Sequence, residues 1–98
     1  GAYWAGDAAQ AQANLVVALD AGALYRDSLQ AAQDAMERFQ ALGQSGRVLR
    51  LQRTVGATYL KRLNMSSTAR EWFEKALAGA RKEGDKAQSV AIMLDLAR

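Results

Sequence analysis

The feature that most constrains this chain is that it matches itself. Displaced by 41 residues, Gly43 falls on Gly84, Ala35 and Met36 on Ala76 and Leu77, Leu51 on Ile92, and Val55 on Leu96. Ser28 then meets Ala69, and Ala32 meets Phe73. Identity is low, but the apolar and glycine pattern is kept. A period of this size is the mark of helix pairs that cannot bury their apolar stripes alone and stack to complete a core.

The residues between the repeated positions agree with helices. Proline is absent, and Ala, Leu, Gln, Arg and Met, which lose least on entering a helix, dominate. Breaks fall at Gly22-Ala23, Gly43 to Gly46, Asn64 to Ser67 and Gly84-Asp85, where glycine or a capping residue supplies a left-handed turn or an N-cap. They leave five helical segments, about residues 7–22, 25–43, 46–64, 67–83 and 86–98.

Each segment carries an apolar stripe at helical spacing. The expected stripes are Leu15, Leu19 and Leu24; Leu29, Ala32, Ala35, Met36 and Phe39; Val48, Leu51, Val55, Tyr59 and Leu63; Ala69, Phe73, Ala76, Leu77 and Ala80; and Val90, Met93, Leu94 and Ala97. Links of a few residues make consecutive helices antiparallel hairpins. The expected domain is single, with one repeat at about 7–43, a second at about 46–83, and a partial repeat or capping helix at 86–98.

Three single positions carry expectations of their own. Gly56 lies inside a helical stretch, where glycine costs about 0.5–1 kcal/mol relative to alanine, so close helix contact is expected there. Asp85 follows Gly84 and precedes an apolar periodic run, which makes it the expected N-cap of the last helix. Trp72 lies one step off the Phe73 stripe and is expected against a neighbour or solvent.

Composition limits the chemistry. The 98 residues contain neither cysteine nor histidine, which removes the usual zinc ligands, iron–sulfur ligands, disulfides, thiol nucleophiles and imidazole bases. An enzyme is not expected, and no metal or cofactor is. Apolar runs are much shorter than the roughly 18–20 residues that cross a bilayer, so no membrane span is expected. Charge is uneven: residues 1–40 hold five of the ten Asp and Glu but two of the thirteen Lys and Arg. The basic second half would suit an acidic partner. Nucleic acid is a poor match, because no helix-turn-helix pattern or glycine-rich phosphate loop accompanies the basic residues.

Val55-Gly56, then Tyr59, then Ala69, Phe73 and Ala76-Leu77 resemble the tetratricopeptide repeat, whose pattern runs Leu-Gly, Tyr, then Ala, Phe, Ala on the second helix. The resemblance covers residues 47–85 and weakens before them. Gln52 stands where the family often has Trp, the turn before Ala69 is one residue longer, and the Arg-Lys-Glu-Gly-Asp run at 81–85 replaces the usual proline. The 41-residue period exceeds the 34 of the standard repeat, and is similar to longer-helix versions found in bacterial regulators.

This resemblance implies an all-α, right-handed helix-hairpin solenoid serving as a protein-interaction scaffold within a larger signalling or regulatory protein. The sequence reads as a piece of such a protein, and the absence of cysteine agrees with a cytoplasmic location. First helices of such pairs line the concave surface, which implies partner-binding positions at Gln12, Val16, Arg50, Arg53, Ala57 and Lys61. An acidic peptide is the expected ligand, since arginine forms paired charge-assisted bonds with carboxylates. The other expectation is a structural segment that forms a homodimer through uncapped ends, at Trp4, Val90, Met93 and Leu94.

Overall fold

The computed structural model describes the backbone of residues 2–97 and the side chains of residues 7–97. Among the described residues there are five α-helices and no strand: α1 (Ala2–Ala21), α2 (Tyr25–Ala41), α3 (Ser45–Lys61), α4 (Ser66–Lys82) and α5 (Lys86–Leu96). The first helix begins at Ala2, ahead of the expected start at residue 7. Alanine is the best helix former and continues the helix upstream of Asp7. Adding 41 to both ends of α2 gives both ends of α4, and adding it to the start of α3 gives the start of α5.

The breaks repeat as well. Gly43 and Gly84 take φ of 71° and 70°, and Ala23 and Asn64, again 41 apart, take 59° and 53°. At Gly84 the amide donates to the Arg81 carbonyl at 3.1 Å, and the next amide, Asp85, donates to Ala80 at 2.9 Å. This double closure satisfies helix-end carbonyls and needs a left-handed residue. Gly43 closes α2 in the same way, through Gln40 and Phe39. Ala23 does so without glycine, through Asp20 and, at Leu24, Leu19. The turn after α3 is wider: Leu63 donates to Thr58 at 3.1 Å and Met65 to Tyr59 at 2.8 Å. That is the additional residue seen in the sequence.

The chain divides into two compact units, Gly1–Leu51 and Gln52–Arg98, with the boundary inside α3. In the first unit α1 packs against α2. Its buried residues include Ala9 and Val16 of α1 and Ala32, Ala35, Met36 and Phe39 of α2. Buried Ser28 donates its hydroxyl to the Val16 carbonyl at 3.4 Å. The Arg47 guanidinium stands 5.4 Å from the Phe39 ring centroid and also donates to the Gln10 side chain.

The expected stripe of Leu15, Leu19 and Leu24 is corrected here. Leu15 is 44 % and Leu24 53 % exposed, and among the described residues of α1 the buried ones are Ala9 and Val16, seven apart on one face. Small Ala9 lets α2 approach, whereas Leu24 follows left-handed Ala23 and occupies the N-cap position of α2.

In the second unit Val55, Ala69, Phe73, Ala76, Ala80 and Ile92 are buried. A Cβ at Gly56 would come within 2.8 Å of Phe73 Cε1, so the α3 backbone lies directly on that ring. Asp85 caps α5, accepting from the Gln88 amide at 3.0 Å. The last stripe is corrected: α4 packs against α5, yet the buried residue of α5 is Ile92, and Val90, Met93, Leu94 and Ala97 are exposed. Both faces of α5 are apolar, and periodicity selected the outer one.

Candidate functional site

The polar side of α3 follows from its sequence, because Arg53, Ala57 and Lys61 recur every fourth residue and Val55 and Gly56 turn inward. The three lie in the second unit, and Arg50 lies in the first. Lys61 is exposed in the last turn, and Ala57 is half-buried. Arg53 is committed inside the molecule. Its Nε and Nη2 donate to Asp95 Oδ2 of α5 at 3.3 and 3.1 Å, and its Nη1 donates to Gln88 Oε1 at 2.9 Å. The paired side chains are 31 % and 24 % exposed.

Among the other anticipated contacts, Arg50 is exposed and Gln12 is half-buried. Val16 is 2 % exposed, so its side chain belongs to the first unit's core and not to an accessible surface. Val90, Met93 and Leu94 stand out on α5 at 52 %, 42 % and 61 % exposure. The Trp4 side chain lies outside the described residues.

Two features were not read from the sequence. One is the Arg53 tie itself, although one of its partners, Asp95, lies 42 residues on, close to one period away. Residues about one period apart fall on successive equivalent helices, and that was the available signal. The other is an open groove of about 460 Å³ in the second unit, with Ala69 and Phe73 among its lining and Ser66, Arg70, Glu74 and Asp95 around it. Carboxylates outnumber cations in it. It collects residues from the first half of α4 and the last turns of α3 and α5, which no single-helix pattern brings together.

Trp72 is half-buried, with Lys75 Nζ 4.5 Å from its ring centroid. Among the described residues no group of acidic side chains forms a metal-holding cluster, and no helix is long and apolar enough to cross a membrane. Compared with family models, with curated proteins and with solved structures, the chain gives no match. What bears on function is the 41-residue repeat and the surfaces that its helices present.

Proposed function

We propose that this chain is a non-catalytic protein-interaction scaffold, a tetratricopeptide-like stack of helix hairpins within a larger cytoplasmic signalling or regulatory protein. The supporting observation is the repetition at 41 residues, in which helix ends, left-handed turns and buried small residues recur together. A repeat of this kind offers extended helix faces for a partner. Two acidic groups of the second unit have structural work: Asp85 caps a helix and Asp95 pairs with Arg53. That supports a binding module over a catalyst.

The ligand side is the outer face of α3 around Ala57 and Lys61, and the ligand is an acidic peptide. Arg53 contributes by fixing α5 and has part of its guanidinium edge already used. The exposed lysine supplies steering charge, and half-buried Ala57 leaves room for a backbone to pass. The test is fluorescence anisotropy of acidic-tailed peptides with wild type and Lys61→Glu, in low and moderate salt. Weaker binding by Lys61→Glu, and weaker wild-type binding at higher salt, are expected. Equal affinity of both proteins for every peptide removes this face from consideration. A second reading, self-association through the end of the repeat, is favoured by the exposure of Val90, Met93 and Leu94.

A further inference from the structure

The chain has three methionines, and they stand in different surroundings. Met36 is buried in the first unit, at 8 % exposure, whereas Met65 and Met93 are 46 % and 42 % exposed. A thioether reacts with a peroxide only when the oxidant can reach its sulfur, so the last two are the open ones. At Met93 a cation stands beside the sulfur. Arg81, exposed in the last turn of α4, directs Nη2 at Met93 Sδ of α5 across 3.9 Å. Thioether sulfur is a weak acceptor, and this contact does little for stability as it stands. An oxygen in the same place would accept a charge-assisted bond, because the guanidinium stays protonated.

The internal repeat supplies a second observation. Moved back by 41 residues, Met93 becomes Gln52, a half-buried side chain of similar length that ends in an amide oxygen. Glutamine and methionine sulfoxide both carry an acceptor oxygen near the tip of an unbranched side chain, so this position of the repeat accommodates one. Oxidation damages a protein where it makes a packed methionine polar. Met93 is not packed in that way, since Ile92 is the buried side chain of α5.

We propose that Met93 is a site of reversible oxidation whose sulfoxide is held by Arg81, so that the modification ties α5 more firmly to α4. The oxidant is hydrogen peroxide. A sulfur lone pair attacks one peroxide oxygen, the O–O bond breaks as the S–O bond forms, and the proton of the transferred oxygen passes to the departing one, which leaves as water. Sulfur gives up two electrons and the peroxide takes them. The sulfoxide oxygen then accepts from the Arg81 guanidinium, where the thioether offered only sulfur. A methionine sulfoxide reductase, drawing electrons from a dithiol, returns the side chain to its first state.

The inference is independent of the acidic-peptide site. To test it, hydrogen peroxide is applied to the folded Met65→Leu protein, in which the other exposed thioether is gone, and to the same protein carrying Arg81→Ala. Both are kept at a concentration where the untreated chain sediments as a monomer. Peptide mapping by mass spectrometry should find one added oxygen on Met93 well before any on buried Met36. Amide exchange in residues 86–96 should then slow by up to about fivefold in the oxidised protein, the range open to a surface ionic contact, and return to the starting rate after treatment with the reductase. With Arg81→Ala, oxidation should leave that exchange unslowed. Oxidation of Met36 ahead of Met93 overturns the site. Exchange that is unchanged or faster after oxidation of Met93 beside Arg81, or that slows equally in Arg81→Ala, overturns the tie and with it the proposal.

Discussion

At Gly56 two residue-scale effects oppose each other, and the structure decides between them. Alanine in a helix interior is better than glycine by about 1 kcal/mol, but its Cβ would be 2.8 Å from Phe73 Cε1 and 3.0 Å from Cδ1 and Cζ. Phe73 is 3 % exposed, so the ring has little space into which to withdraw. Overpacking costs about 1–3 kcal/mol and outweighs the gain in propensity. Gly56→Ala is expected to lose about 1 kcal/mol in urea denaturation followed by circular dichroism, and Gly56→Leu more. In the Phe73→Leu background the alanine penalty should shrink. A Gly56→Ala protein as stable as wild type would mean that the ring moves freely. The left-handed residues give the complementary case: Ala23 holds φ of 59° with a side chain, and Gly84 holds 70° without one. Ala23→Gly should raise stability by roughly 0.5–1 kcal/mol, and Gly84→Ala should lower it by about 1 kcal/mol.

At the scale of the element, the helices differ in how they begin. Asp85 accepts a bond from the Gln88 amide of α5, whereas Leu24 and Met65, 41 residues apart, hold the N-cap positions of α2 and α4 with no side-chain bond. A cap of the Asp or Ser type is worth about 1 kcal/mol over an apolar residue. Met65 is 46 % exposed, so replacing it removes little packing. Met65→Asp should therefore raise the unfolding midpoint, by about 0.5–1 kcal/mol of stability, and Asp85→Ala should lose about 1 kcal/mol. Thermal melts of the two variants moving in the same direction would contradict this account. Turns and caps were legible because their chemistry is local: glycine, asparagine and aspartate act on their own backbone. The choice of buried face was legible only where a helix has one apolar side, as with Phe73, Ala76 and Ala80. In α1 and α5 periodicity offers more than one stripe, and the neighbouring helix selects Val16 over Leu15 and Ile92 over Leu94.

At the scale of the whole molecule, the sequence suggested a basic face on α3, and the structure ties one of its cations, Arg53, to Asp95 and Gln88 of α5. Helical spacing places Arg53, Ala57 and Lys61 on one side, but it cannot show that Asp95 lies across from Arg53, because that contact depends on how a helix 42 residues on is docked. α5 is short, and Ile92 is its buried side chain, so polar ties are a large share of what holds it. An ion pair as exposed as this contributes no more than about 1 kcal/mol. Arg53→Ala should thus leave global stability within about that amount of wild type while raising amide exchange in residues 86–96 by up to about fivefold, the factor that 1 kcal/mol represents. Exchange in residues 66–82 should change less, since their stripe rests on Phe73 and the alanines around it. Salt should erase part of the difference between wild type and Arg53→Ala in α5, because the pair is open to screening, and should do nothing comparable for Lys61→Glu. If exchange in α4 and α5 rises equally, Arg53 supports the second unit as a whole and not the seat of its last helix; if neither rises, Ile92 alone holds α5 and Arg53 is available to a ligand after all.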